Sequence, residues 1–381
     1  MIFSSLEHTK QIPFDTVFMH GLVRDAQGRK MSKSLGNGID PMDIINEFGA
    51  DALRFSVVQG MTLGNDVKYS AEKAGAAKNF ANKIWNASKF VLANIDESLK
   101  DYKEEKLSVE DKWILNKLDK LVVEVSNHIE NYEVGIAATK IYDFIWSEFC
   151  DWYIEMVKPR LYNEDCDTKK EAMYTLNHVL VASLKLLHPF MPFITERIYK
   201  ELIVDKESIM LEKWPEVKEN FKYDEEEKEI ELLKNIIVNI RNIRAERNVA
   251  PSKKTNLIFV TEKYSNLLLD ADEFLKKLGF ANEIVVQEDK ANIPENSISI
   301  VQEGIELYIP FEELVDIEKE LERLNSEKER LEKEVERARK MLSNKGFVEK
   351  APKAKIEEEQ AKLVKYKEML ETVEKRIAEM K

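Results

Sequence analysis

Between Ser70 and Leu211 the apolar residues of this chain recur at steps of three and four almost without interruption. Only helices bury such a pattern on one face. Ala81, Ile84, Ala87, Ser88 and Val91 follow it, as do Trp113, Ile114, Leu118, Leu121 and Val125. Further stretches cover 134–153 and 173–187, the second closed by His188-Pro189. Stripes of this kind must cover one another, so a bundle of four or five helices is predicted. Residues 224–247 read as one more long helix, acidic at its start and basic at its end, the order that complements the helix dipole.

Composition agrees. The 381 residues carry 34% charged side chains, against about a quarter in ordinary globular chains, and only 12 Gly and 10 Pro, which favours long solvated helices over a sandwich or barrel. No apolar run approaches the ~18 residues that span a membrane, and the N-terminus lacks a signal-peptide pattern. Cys150 and Cys166 have neither CxxC spacing nor a histidine at metal distance. They read as buried thiols in a reducing compartment, and no metal site is expected. With a net charge of −13, contact with a polyanion has to come from local patches.

Flanking the bundle are segments of other kinds. Thr16-Val17-Phe18-Met19 reads as a buried strand that leads through His20-Gly21 into a polar loop, 24–29. This opening has no core of its own and is expected to be the end of a domain that starts upstream. Asp40-Pro41-Met42-Asp43 is a helix start, with Asp40 as cap and Pro41 at the first position, and Gly49 is its stop. Beyond Pro251 the period changes: 256–260, 283–287, 298–302 and 305–309 are strand-like, with one helix over 265–278, a small α/β module. After Pro310 a heptad begins: Ile317, Leu321, Leu324, Lys328, Leu331, Val335, Ala338, Leu342. It breaks at Ser343-Asn344-Lys345-Gly346 and Pro352, then resumes at Ile356, Glu359, Leu363, Tyr366, Leu370, Val373, Ile377 and Met380. Two seams of similar length can satisfy each other as an antiparallel coiled-coil hairpin; pairing between molecules is the alternative.

The candidate chemistry lies in Lys30-Met31-Ser32-Lys33-Ser34. Two ammonium groups on a glycine-flanked loop, with hydroxyls at Ser32 and Ser34, can reach phosphate oxygens and stabilise charge as pyrophosphate departs. Five such residues alone also describe a solvated basic loop. Their flanks are more specific. Gly28-Arg29 before them, Leu35-Gly36-Asn37-Gly38-Ile39-Asp40-Pro41 after them, and then Gly49-Ala50-Asp51-Ala52-Leu53-Arg54 together resemble the second signature of class I aminoacyl-tRNA synthetases.

That resemblance implies a Rossmann-type catalytic domain, ATP (with Mg) as substrate, an aminoacyl adenylate and transfer to the 3′ end of tRNA. It makes Lys33 the phosphate contact and Lys30 its partner, with Ser32 and Ser34 shaping a loop expected to be mobile. The first class I signature, His-x-Gly-His, is absent, and no editing domain precedes the loop. The chain is therefore expected to be a C-terminal part that does not aminoacylate alone. Asn79-Phe80-Ala81-Asn82-Lys83-Ile84-Trp85-Asn86-Ala87-Ser88 and Leu187-His188-Pro189-Phe190-Met191-Pro192-Phe193-Ile194-Thr195-Glu196 are similar to the joining helix and a bundle turn of the Val/Ile/Leu group.

Three features resemble the valine branch: the run Ile240 to Lys253, the terminal hairpin with 342–352 at its tip, and the lack of cysteines for a terminal zinc module. An isoleucine or leucine sibling is the runner-up, and a stand-alone tRNA-binding protein is the reading from another class. The expected partition is 1–70, end of the catalytic domain; 71–254, helical anticodon-binding domain; 255–310, α/β linker module; 311–381, tRNA-binding arm. The expected partners are tRNA-Val, with valine and ATP held through the missing half, in a cytoplasmic monomer.

Candidate tRNA contacts follow from charge and position. Arg241, Arg244 and Arg247 step by three along one helix, and arginine's planar fork suits phosphates and base edges. Asn79 and Lys83 lie on the joining helix. Residues 311–381 hold 18 Lys+Arg and 19 Asp+Glu, so this arm is nearly neutral in an acidic chain. Arg337, Lys340, Lys345 and Lys350 gather near its tip, where resemblance implies contact with the tRNA elbow.

Overall fold

The computed structural model describes every residue except 101, 103–105, 218–222, 315–316, 345–352 and 380–381, and it divides into two compact units, Met1–Lys234 and Asn235–Lys381.

Among its described residues the first unit is mainly helical, with a short strand pairing and an isolated bridge between Arg24 and Lys30. Helix α1 (Ile2–Thr9) buries none of its side chains. The strand expected at 16–19 does not form: Val17 and Met19 are 71% and 74% exposed, and Phe18 instead faces Tyr132 with ring centroids 5.6 Å apart. A strand needs a partner edge for its backbone groups, and among the described residues none lies alongside 16–19. The pairing that does form is two residues long, β1 (Val23–Arg24) parallel to β2 (Val67–Lys68).

The next elements follow their sequence signals. Asp40 accepts the Met42 N–H at 2.8 Å and Pro41 opens α2 (Pro41–Phe48), where a missing N–H costs nothing. Gly49 (φ 98°) ends that helix, and α3 (Ala50–Val58) begins at once.

Five helical columns, among the described residues, make the bundle. They are α4 (Ala71–Asn94), α5 (Val109–Glu130), a continuous column of α6 (Val134–Asp143), a π-helical stretch (Phe144–Tyr153) and α7 (Ile154–Tyr162), then α8 (Lys169–Leu187) and the start of α10 (Asp224–Glu246). The short α9 (Pro192–Tyr199) follows the His188-Pro189 corner. The third column runs nine residues beyond the stretch expected from periodicity. Phe80, Ile84, Trp113, Ile114, Leu115, Ile141, Ile145, Phe149 and Tyr153 are fully buried between the columns. Each contributes about 1.5–3 kcal/mol of burial free energy.

A charged network crosses this core. Arg160 donates to both carboxylate oxygens of Asp111 at 2.9 Å, to Glu110 at 2.7 Å and to the Thr168 carbonyl at 2.6 Å, while the Tyr153 hydroxyl donates to Asp111 at 2.6 Å. Gly135 marks a close approach: a Cβ there would lie 2.2 Å from the Met61 carbonyl oxygen.

The second unit continues from α10 into a four-stranded sheet of order β4-β3-β6-β5. Its strands are β3 (Thr255–Val260), β4 (Ala281–Gln287), β5 (Ser297–Gln302) and β6 (Ile305–Pro310). Strand β3 runs parallel to β4 and antiparallel to β6. The crossover expected as one helix is two, α11 (Ser265–Asp270) and α12 (Asp272–Leu278), parted at Ala271 (φ −88°, ψ 1°). Leu257, Phe259, Leu307, Ile309, Leu268 and Leu275 are buried in this unit. After α13 (Phe311–Leu314), two long helices, α14 (Ile317–Ser343) and α15 (Lys353–Glu379), pack through Leu324, Leu331, Val373 and Ile377, joined by Tyr366 and Leu370. Lys328 occupies a seam position and reaches Glu374 at 2.8 Å.

No helix of the described residues is long and apolar enough to cross a membrane. Among those residues no group of three His, Cys, Asp or Glu is placed to hold a metal ion.

Candidate functional site

The loop that carries Lys30 and Lys33 is built on a tight reversal. Gly28, at φ 82°, lets the chain turn, and its N–H donates to the Asp25 carbonyl at 2.8 Å. Asp25 is 7% exposed. One of its carboxylate oxygens accepts the Arg29 N–H at 2.7 Å and the Gln27 N–H at 3.1 Å; the other accepts Arg29 Nε at 2.8 Å and the Asn37 amide at 2.9 Å. These donors, that of Asn37 foremost, hold the Asp25 carboxyl down at about 2.

Asn37 closes the loop from its far end. Its amide nitrogen also donates to the Lys30 carbonyl at 3.2 Å, and its oxygen accepts the Ser32 N–H at 2.9 Å. Ser32 Oγ accepts the Leu35 N–H at 3.3 Å and lies 3.1 Å from Ser34 Oγ, which shapes a single 3-10 turn, Lys33–Leu35. Met31 turns inward against Ile44, Tyr69 and Ala74. Where the sequence led to a mobile loop, these contacts tie its backbone at both ends and at Met31, leaving Lys30 and Lys33 exposed. Two cations presented this way can meet phosphate oxygens.

On α4, Asn79 is exposed and Lys83 is half-buried. The Lys83 ammonium lies 2.6 Å from Asp151 and 3.8 Å from the centroid of the Trp146 ring. Trp146 stacks on Tyr142 at 5.5 Å, and Tyr142 meets Phe80 at 4.7 Å, so an aromatic column backs this lysine.

In the second unit the three arginines of α10 and its exit do not share a solvent face. Arg244 is 3% exposed, donates to the carbonyls of Ala250 and Lys253 and lies 5.0 Å from the Phe280 ring centroid. Its expected RNA contact is therefore corrected. Steps of three rotate by 300° around a helix, and this rotation carries Arg244 into the packing side of the α/β module. Arg241 is half-buried and donates to the Leu278 carbonyl at 3.0 Å. Arg247 is exposed, with its guanidinium 5.2 Å from the Phe311 ring centroid. Farther along, Arg337 and Lys340 are exposed on α14 and, with Lys333, Glu336, Met341 and Asn344, outline an open hollow of about 450 Å³. Lys345 and Lys350 lie outside the described residues.

Asp25 and Asn37 were not singled out from sequence. An Asp three residues before Gly28 is a readable turn signal, and Asn37 lies in the signature run, but its bonds across the loop act at a distance that spacing does not show.

Comparison with known proteins accounts for most of the chain. The family described as "tRNA synthetases class I (I, L, M and V)" matches residues 1–70. "Anticodon-binding domain of tRNA ligase" matches 111–259, and "Valyl tRNA synthetase tRNA binding arm" matches 316–381. The valine--tRNA ligase of Clostridium acetobutylicum is 49% identical over 100% of this chain and 44% of its own length. That of Clostridium perfringens is 50% identical over 99% of this chain and 43% of its own, and that of Bacillus thuringiensis subsp. konkukian 46% over 100% and 44%. The chain thus spans less than half the length of these relatives. Similar to them along its whole length and matched by their tRNA-binding arm, the chain belongs to the valyl-tRNA synthetases, class I aminoacyl-tRNA synthetases, and corresponds to their C-terminal region.

Proposed function

We propose that the chain is the part of a valine–tRNA ligase that supplies the lysine loop of its ATP site and the surfaces that hold tRNA-Val. Residues 1–70 close a Rossmann-type catalytic domain, 71–254 form the anticodon-binding bundle, 255–310 are the α/β linker module, and 311–381 are an antiparallel coiled-coil arm that meets the tRNA elbow. The observation that carries this is the lysine loop: Lys30 and Lys33 stand exposed on a backbone held by Asp25, Asn37 and Met31. Cations on a fixed frame gain more from developing phosphate charge than cations that must first be ordered. Ser32 and Ser34 shape the turn.

In the complete enzyme ATP, accompanied by Mg, activates valine, and the valyl group passes to tRNA. Lys30 and Lys33 would meet the phosphates. Valine and the rest of ATP would be held by the part of the longer relatives that these 381 residues do not span. The chain alone is expected to give no ATP–pyrophosphate exchange. It would act as a monomer in the cytoplasm.

For tRNA the supporting surfaces are Asn79 with Lys83 on α4, Arg241 and Arg247 at the exit of α10, and Arg337 and Lys340 on α14, with Lys345 and Lys350 assigned from sequence. Filter binding of the chain to valine, isoleucine and leucine tRNAs tests the proposal. Preference for the valine tRNA, falling steeply with salt, is the expected outcome. Equal binding to all three, or an affinity and salt slope unchanged by deletion of 311–381, would overturn it.

A further inference from the structure

We propose that Asp25 and Asn37 form a latch that sets where Lys30 and Lys33 stand, a positioning role that rests on the reading of this loop as a phosphate-contacting element. Asn37 reaches back from the far limb to bond the near one through its side chain. Its amide nitrogen reaches Asp25 on the turn before the lysines and the carbonyl of Lys30 itself, at 2.9 and 3.2 Å. Its oxygen takes the N–H of Ser32, between the two lysines, at 2.9 Å. Three polar contacts from one half-buried amide close residues 30–37 into a ring. Ser32 could not do this alone, because its hydroxyl bonds stay within 32–35.

Asp25 supplies the fixed end of the latch. It is buried, and both of its oxygens are engaged by donors from Gln27, Arg29 and Asn37. An ionised carboxylate strengthens each of these bonds, and it can only accept, so it dictates that Asn37 presents its NH2 to Asp25 and its oxygen to Ser32. The amide is thereby oriented, and with it the backbone on both sides of Met31. Met31 is the pivot, held by Ile44, Tyr69 and Ala74. Ordering of the loop is then completed in folding instead of being charged against phosphate binding.

Trypsin reads the latch directly, since it cleaves after Lys30 and Lys33. Cleavage of a folded chain follows the population of the locally open form. Asn37→Ala and Asp25→Asn should each speed cleavage at these two bonds about tenfold or more, from loss of charge-assisted bonds, with the thermal midpoint and cleavage within α14 little changed. Should Asp25→Asn unfold the first unit, Asn37→Ala carries the test, because its bonded partners all lie within 25–37. Unaltered loop cleavage in a folded Asn37→Ala chain overturns the latch.

The catalytic consequence is read in the intact enzyme by ATP–pyrophosphate exchange. Asn37→Ala is expected to lower kcat about tenfold or more while leaving the KM for valine unchanged. Faster cleavage with unchanged kcat would make the latch merely structural and overturn the proposal. Lys33→Ala separates the two ideas: full exchange activity in that variant would sink the phosphate reading itself, whatever the proteolysis showed.

Discussion

Asp51 accepts the backbone N–H of Ile194 at 2.7 Å, joining residues 143 apart in sequence. Its second oxygen accepts the Phe193 N–H at 3.2 Å, so a side chain from α3 caps α9. Arg54, one turn later, donates to the carbonyls of Pro189 at 2.9 Å and Phe190 at 3.3 Å. The run 49–54 that follows the lysine loop and the bundle turn at 187–196 are thus one joint. Asp51→Ala should destabilise the first unit by about 1–2 kcal/mol, as loss of a helix cap does, and Asp51→Asn by less. Urea unfolding followed at the bundle tryptophans measures both; equal stability of Asp51→Ala and wild type would show that the joint contributes nothing.

Arg160 and Asp111 form the bundle's most demanding contact, since the Asp111 side chain is wholly buried and that of Arg160 is 11% exposed. Removing one partner strands the other charge in the core. Arg160→Met or Asp111→Ala is expected to cost about 3–5 kcal/mol, enough to leave much of the chain unfolded near 37 °C. Tyr153→Phe, which deletes a single bond to the same carboxylate, should cost about 1–3 kcal/mol. A larger loss in Tyr153→Phe than in Asp111→Ala would reverse the assigned order.

The bundle was legible because its signal is redundant. Trp113, Ile114, Leu118, Leu121 and Val125 are all buried, as the three-four spacing required. The cap at Asp40 and the stop at Gly49 were legible because each acts within four residues. What escaped acts at a distance. Val17 and Met19 have strand chemistry, but strands are completed by partners, and composition cannot supply one. Arg244 lies on an expected helix, yet its fate depends on Phe280 and on the return of the chain through Lys253. Of the candidate site, the lysines and Asn37 stood in the motif, while the bond by which Asn37 meets Asp25 beneath them acts across the loop and could not be read from it.

The loop should respond to acid. Asp25 sits below the usual carboxylate range, held at about 2 by its Asn37 and Arg29 donors. A depressed folded pKa contributes stability that is present above the unfolded value of about 4 and lost as pH falls towards 2. Amide exchange at Arg29 and Ser32 should therefore accelerate, beyond its intrinsic pH dependence, between pH 4 and 2. In Asp25→Asn that additional step should be absent. Protection that stays constant across this window in wild type would contradict the assignment.

Cys150 should be chemically quiet. Burial pushes its thiol up to about 12, against the small opposing pull of Lys83, so its thiolate is scarce at neutral pH. Both cysteines are half-buried where the sequence led to buried thiols, so iodoacetamide at pH 8 should modify Cys150 far more slowly in the native chain than in the urea-unfolded one, as peptide mass spectrometry would reveal. Equal rates in the native and unfolded chains would show that its surroundings do not raise the thiol.

Arg244 and Arg247 are three residues apart and should behave as opposites. Arg244→Ala removes a buried guanidinium that holds the Ala250 and Lys253 carbonyls, so the second unit should lose about 1–3 kcal/mol, seen as a lower urea midpoint. Any RNA effect of that variant should track the unfolded fraction. Arg247→Ala removes an exposed cation and should leave the midpoint within about 0.5 kcal/mol. Its mark would appear in tRNA binding, as a weaker affinity and a salt slope smaller by about one. If both variants shifted the midpoint alike and left the salt slope intact, Arg247 would be a packing residue like its neighbour, and the exit of α10 would drop out of the proposed RNA surface.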